Sequence, residues 1–278
     1  MRLLKHLRPT GHARLRTCIL SLLFPLYLFA QDEPAFVTYT TAHWDLSKED
    51  GSNDEWLALA KEYHEKVTMK NELIMRSAFL IHYFTEDNSE VKVISAYKSW
   101  EDIEKAQDRT EELIEAGWPD KTARDAFFDK YDSYMVNVHS DEIYRVVPGA
   151  KPIITQSTEP LVVYIQEIQR AYPEDGTMEE FRALHKEFLD NTVHMNPFIV
   201  GFRNFTHGWG SDNRDFVEVR IYENWGAIES AFDKNEELVK AHWPDEAARE
   251  AFFDKYNKYF TGFHADYIYH SVSELRKG

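Results

Sequence analysis

The sequence predicts an α+β protein in which one unit, running strand, helix, hairpin, helix pair, strand, is built twice in tandem. Three observations predict it. The phrase WPDKTARDAFFDKY, starting at Trp118, returns as WPDEAAREAFFDKY at Trp243, 125 residues later. Register holds around that phrase, and Tyr97–Arg145 set against Tyr222–His270 gives 26 identities in 49 positions. Within each copy, short runs rich in β-branched and aromatic residues alternate with segments whose apolar residues recur at helical spacing. Repeats of this length are whole folding units rather than turns of a solenoid. The expected organisation is a leader over residues 1–30, a first domain over 31–148, a linker over 149–160 and a second domain over 161–278.

The elements follow in order. FVTYTT and LVVYIQ read as the opening strands. Ser52 with Glu55, and Thr177 with Glu180, have the spacing of capping boxes, in which hydroxyl and carboxylate satisfy the first free backbone N–H groups of a helix. Trp56, Leu59, Ala60, Tyr63 and Val67 then fall on one helical face. ELIMRSAFLIHYF and EVKVISAY, split by the turn-forming TEDNS, make a hairpin, repeated as PFIVGFRNFTHGW and DFVEVRIY. Ser99 and Asn224 are caps for the next helix, which carries Ile103, Ala106, Thr110 and Leu113 along one side. In the repeated phrase Asp120 caps a third helix with the apolar stripe Ala123, Phe127, Tyr131 and Tyr134, so Phe127 and Phe252 read as core anchors. HSDEIYRVV and HADYIYHSV close the units as strands. Carried upstream without a gap, the register aligns Tyr39 with Tyr164, Asn71 with Asn196 and His82 with His207.

The first thirty residues set five basic side chains ahead of the apolar run Cys18–Phe29 and then Ala30. That is the layout of a secretory signal peptide cleaved near Ala30, with an organellar transit peptide as the rival, and it predicts export to a periplasmic or extracellular space. Cys18 is the only cysteine, so the mature chain has no disulfide, thiolate metal site or cysteine nucleophile. With 48 acidic against 32 basic residues, nucleic acid is excluded as a partner. The Cys18–Phe29 run is too short to span a membrane, and no later run reaches that length. A small-molecule ligand and further copies of the chain remain as partners.

The element order is the ferredoxin-like split β-α-β pattern, whose antiparallel sheet is covered by helices on one face and bare on the other. A duplicated chain supplies its own partner for that face, so the two sheets are expected face to face in an intrachain pseudo-dimeric α/β barrel. In this order and duplication the chain resembles the dimeric α/β barrel superfamily, which includes antibiotic-biosynthesis monooxygenases, stress-responsive barrel proteins, haem-degrading monooxygenases and chlorite dismutases. The resemblance implies a ligand cavity in the barrel and oxygen chemistry on small aromatic substrates. The expected function is an exported barrel binding a small aromatic or anionic molecule, of the cofactor-independent monooxygenase kind; the alternative is a non-catalytic module with its barrel filled by side chains. No cofactor is expected, haem being the alternative, because the Asn, Trp and His set of the haem-degrading relatives has no matching positions here.

Candidate chemistry centres on histidines. His139 with Asp141, and His264 with Asp266, form H-x-D pairs on one face of the closing strands. Such a pair can act as base and orienter, ligate a metal or pin the strand; at a spacing of two it is no metal signature, and no metal site is assigned. His82 and His207 close the second strands, facing one another across the pseudo-dyad near Tyr39 and Tyr164 if that face is inward, or else packed as single polar residues. The copies differ where His185, His194, Arg203, Trp209 and His242 replace Ala60, Met69, Ala78, Phe84 and Gly117. Arg203 and Trp209 share strand parity with His207, so these three make an expected ligand wall in the second unit, with His207, His264 and Asp266 as catalytic candidates; drift of a solvated surface is the competing explanation.

Overall fold

The structure, a computed structural model, describes residues 33–153 and 158–278; the leader expected over 1–30 and the middle of the linker lie outside the described residues. Glu33–Gly278 forms one compact unit. The first repeat comprises β1 (Phe36–Trp44), α1 (Asn53–Tyr63, extended by a wider turn over His64–Thr68), β2 (Arg76–Phe84), β3 (Glu90–Tyr97), α2 (Trp100–Gly117), α3 (Lys121–Asp132) and β4 (Met135–Val146). The second comprises β5 (Val162–Arg170), α4 (Met178–Asn191), β6 (Gly201–Trp209), β7 (Asp215–Tyr222), α5 (Gly226–His242), α6 (Glu246–Asn257) and β8 (Phe260–Ser271). Among the described residues no helix is long and apolar enough to cross a membrane.

The helices start where short polar side chains can accept from their first N–H groups. Ser52 accepts from Glu55 N, Thr177 from Glu180 N, Ser99 from Asp102 N, and Asp120 and Asp245 from Ala123 N and Ala248 N. The expected capping boxes are only half made. Glu55 binds the Tyr134 hydroxyl and Lys130, and Glu180 binds Tyr259 and Lys258, so each carboxylate ties the first helix to the end of the third instead of closing its own cap. In the repeated phrase Phe127 is buried but Ala123 is exposed, because only the later turns of α3 meet α1.

Each repeat forms a four-stranded antiparallel sheet, in the orders β4-β1-β3-β2 and β8-β5-β7-β6. The outer strands pair across the repeats, β2 with β8 and β4 with β6, giving the closed barrel β1-β3-β2-β8-β5-β7-β6-β4. The two sheets thus face each other across one interior and are also hydrogen-bonded along both seams, which leaves no strand edge free. Inward-facing Val37, Tyr39, Leu80, Tyr144, Val163, Ile165, Phe205, Val219 and Tyr269 make the interior core, and helices cover the outside through separate apolar clusters.

Each repeat also sends its tail onto the other. Lys151 pairs by backbone with Phe202 and donates from Nζ to Val193 O and Asn196 O; Lys277 pairs with Ser77 and donates to Thr68 O and Asn71 O. The matched Asn71 and Asn196 are buried brackets. Their amides donate to Ala106 O and Ala231 O, and their carbonyls accept from Leu73 N and Phe198 N.

The gapless register fails at the first strand. Tyr97 and Tyr222 lie 125 apart, yet they oppose Phe36 and Val162, which lie 126 apart. The path from first strand to first helix is one residue shorter in the second repeat, and a shift of one residue in a strand turns every side chain to the other face. Tyr39 therefore points into the barrel, whereas Tyr164 points outward and donates to Asp266 at 2.6 Å.

Phe127 stacks within 4.3 Å of Trp118 and is shut in by Val67 and Leu113. Phe127→Ala is expected to cost about 3–5 kcal/mol, through the lost burial of the ring and the cavity it leaves; equilibrium denaturant unfolding of the variant measures it.

Candidate functional site

The barrel interior is divided along its axis. At one end lies a cavity of about 170 Å³, walled by Val37, Ala78, Ile94, Val163, Val219 and Ile221 and floored by Tyr39 and Phe205. Its mouth carries Arg76, Arg203, Arg276 and Lys277 against a single acid, Glu33, in a chain of formal net charge −16. The two tails contribute Ala150 and Ile153 on one side and Lys277 and Gly278 on the other. Alternation explains the lining: Ala78, Leu80, Arg203 and Phe205 occupy inward positions of β2 and β6.

Arg203 is the polar group of this wall. Its Nη1 donates at 2.7 Å to both Lys151 O and Phe202 O, and no carboxylate pairs with it among the described residues. Burial lowers its pKa, the neighbouring Arg76 charge adds to that, and Glu33 opposes it. Arg76 itself pairs with Glu33 at 3.3 Å. A guanidinium held by two carbonyls and lacking a counter-ion presents its remaining N–H groups to an anion.

The middle of the barrel is filled. Tyr39 meets Tyr144 and Phe205 edge to face at 5.1 and 5.8 Å, and Tyr269 completes the layer. Beyond it the other end is polar, with Glu90, Lys92, Glu142, Glu167 and Asp215 on inward positions of β3, β4, β5 and β7. Burial pushes the Asp215 carboxyl up to about 6, helped by Asp212 and Glu142 and opposed by Arg214.

The sequence-predicted residues divide between these places. Arg203 stands at the cavity, and Tyr39 lies between the two ends. His82 and His207 share the inward parity but lie at the polar end, in register with Tyr269 and Tyr144 on the two seams. Four residues of strand, about 13 Å, separate Arg203 from His207, and Phe205 stands between them, so the expected wall of Arg203, His207 and Trp209 does not form. Trp209 is 69 % exposed. Tyr164 is outside the barrel. The H-x-D pairs lie on the outer strand face, His139 at 3.2 Å from Asp141 and His264 at 3.4 Å from Asp266, all four side chains roughly half exposed. Thr40 holds Asp141, and Tyr164 and Gln166 hold Asp266. Neither pair adjoins the cavity. Among the described residues no group of histidine, cysteine or acidic side chains is placed to hold a metal.

Sequence reasoning missed a buried polar network specific to the second repeat, between its sheet and the helices α4 and α6. His185 bonds Tyr256 at 2.7 Å and also Asn204, while Glu218 pairs with Arg220 and Arg170 lies 4.5 Å over the Phe181 ring. Burial keeps His185 low in pKa and hence neutral. The first repeat has Ala60, Phe79, Val93 and Ser95 in place of His185, Asn204, Glu218 and Arg220. Asn204 and Glu218, polar at outward strand positions where the first repeat has Phe79 and Val93, were the available signal.

No family model matches the chain, and no curated protein matches it. Solved structures do resemble it. A protein provisionally named a monooxygenase from Fusobacterium nucleatum has a TM-score of 0.54 at 9 % identity, covering 86 % of this chain and 93 % of its own. Another provisionally named monooxygenase, from Lactobacillus acidophilus, has a TM-score of 0.52 at 10 % identity, covering 86 % and 94 %. A chlorite dismutase from Candidatus Nitrospira defluvii has 0.47 at 12 % identity, covering 87 % and 94 %. The chain has the ferredoxin-like dimeric α/β barrel fold, with both halves in one polypeptide. The expectation of no cofactor is corrected by the chlorite dismutases, which bind haem; the fold does not imply a cofactor-free protein. The cavity itself does not fit haem, being about 170 Å³ with no histidine in its lining.

Asp215 makes stability depend on pH. Its folded pKa of about 6 lies above the usual 3.8, so the folded state holds a proton that the unfolded state has already released, and this group's contribution falls as pH rises from about 4 to about 6. Asp215→Asn is expected to gain stability over the parent at neutral pH and to lose that advantage below about pH 4, as read by thermal melting across that range.

Proposed function

We propose that this protein is a small-molecule-binding, monooxygenase-like barrel whose ligand is a compact apolar or aromatic molecule bearing one negative charge, with its apolar part in the end cavity and its charge at Arg203. The supporting observation is the combination of an aliphatic cavity with an unpaired, partly desolvated guanidinium in its wall. A cavity of roughly 150 Å³ admits a benzene ring, which bounds the buried part of the ligand. The reading of a barrel filled by side chains applies to the tyrosine layer, which keeps this ligand at the cavity end.

Benzoate and octanoate, with benzyl alcohol and octanol as neutral partners, test this by calorimetry. Arg203→Ala should weaken the carboxylates about tenfold, the worth of a charge-assisted hydrogen bond, and leave the alcohols nearly unchanged; Ala78→Leu should weaken both by filling the space. Equal affinity of the intact protein for acid and alcohol would overturn the anionic ligand.

Export is proposed from residues 2–30 alone, where basic side chains precede an apolar run and Ala30. N-terminal sequencing of protein collected outside the cytoplasm should read from near Gln31, and an intact Met1 on that material would refute the proposal.

A further inference from the structure

The polar end of the barrel lies away from the cavity and raises a separate question. Four strands bring Glu90, Glu142, Glu167 and Asp215 inward, and Lys92 is the cation among them. Two of the acids are occupied. The Tyr269 hydroxyl donates to Glu90 Oε1 at 2.5 Å with Lys92 Nζ at 3.4 Å, and Glu142 accepts from the Tyr144 hydroxyl at 2.7 Å and from Ser211 at 3.2 Å. Lys92 is spent as well, donating to Thr41 at 3.0 Å. Glu167 and Asp215 have neither a hydrogen bond nor an ion pair to a side chain among the described residues.

A second observation points the same way. Tyr39 is 1 % exposed, and its hydroxyl has no hydrogen-bond partner. Tyr39 stands directly opposite Glu142 in the register of β1 and β4, on the inward face, and the charges that act on its hydroxyl are those of Glu167 and Glu142. A buried hydroxyl left unsatisfied is costly, and its retention calls for a donor or acceptor that the chain does not supply. Two unpaired carboxylates and one orphan hydroxyl are together a set of acceptors awaiting N–H donors.

Glu167 and Asp215 are diagonal neighbours on the inward face of β5 and β7, so one ligand meeting both must present donors at two points. Among the described residues no three acids or histidines converge as metal ligands, so a point-like metal ion does not match the site. An organic cation with donors at both ends of a short chain reaches separated carboxylates. The surroundings already hold one alkylammonium, Lys92 Nζ, 5.9 Å from the centres of the Tyr267 and Tyr269 rings, which shows the aromatic and carboxylate chemistry that such a cation finds there. We propose that the carboxylate end of the barrel is a binding site for a small aliphatic diammonium ion, held between Glu167 and Asp215 with an N–H donated to the Tyr39 hydroxyl.

The proposal is independent of the cavity ligand and is tested with 1,4-diaminobutane titrated calorimetrically into the whole protein at low ionic strength. Saturable one-to-one binding is expected. Glu167→Gln combined with Asp215→Asn should weaken it about tenfold or more through loss of charge-assisted bonds, and that variant keeps its fold because it removes like charges. Tyr39→Phe, which removes only the orphan hydroxyl, should weaken binding a few-fold with the circular dichroism unchanged. The groups facing Glu167 are Lys92, Glu142, Asp215 and Glu90, and those facing Asp215 are Asp212, Glu142 and Arg214. Burial raises both carboxyls, Asp215 to about 6, so affinity should fall as the pH drops through that value and Asp215 takes up its proton. Absence of saturable binding, undiminished binding by the double variant, or calcium bound more tightly than the diamine would each overturn the proposal.

Discussion

Backbone hydrogen bonding along two seams, β2 with β8 and β4 with β6, is the constraint on which the rest of the molecule depends. A four-stranded sheet of the split β-α-β kind has two edges and one bare apolar face, and neither is tolerable alone in water. Closing two such sheets on each other removes all four edges and converts two bare faces into one enclosed interior. The exchanged tails reinforce the closure, because Lys151 and Lys277 each lend an ammonium to carbonyls of the opposite repeat. Cutting the chain between repeats would separate parts that share a single core.

Closure also creates an interior with direction. Eight strands point alternate side chains toward one axis, so composition along each strand becomes composition along the barrel. Small aliphatic residues at one end leave space, tyrosines and Phe205 fill the middle, and acids take the other end. Opposite charges thereby reach opposite mouths: a guanidinium without a paired carboxylate at the cavity, and at the far end four inward acids against the single inward ammonium of Lys92. The tyrosine layer keeps the two from neutralising each other.

Duplication supplied the two-fold frame, and divergence broke it in two ways. The shorter path between β5 and α4 turned the first strand of the second repeat over, which put Ile165 where Tyr39 stands and sent Tyr164 to the outer face. The second repeat also took a polar network beneath its helices where the first kept apolar packing. Asn71 and Asn196 stayed alike because both close the turn ahead of a hairpin strand, a task that an aliphatic side chain cannot perform.

The sequence by itself determined the class, the duplication, the element order and most helix starts, since these rest on local spacing and on hydroxyl or carboxylate groups three residues from the N–H groups they cap. It also marked Arg203, through contrast with Ala78. Tertiary structure decided what lay near what. His207 and Trp209 share parity with Arg203, yet parity says nothing of height along a barrel, and the strand rise carries them to the other end. The acids of that end read as ordinary surface charge along the chain, although Glu167 keeps the parity of Val163 and Ile165. Only closure shows that this parity leads inward and that four strands deliver carboxylates to one place. The slip between Tyr39 and Tyr164 was equally hidden, because a loop shortened by one residue leaves the later identities in step while pairing in the sheet fixes which face each side chain takes.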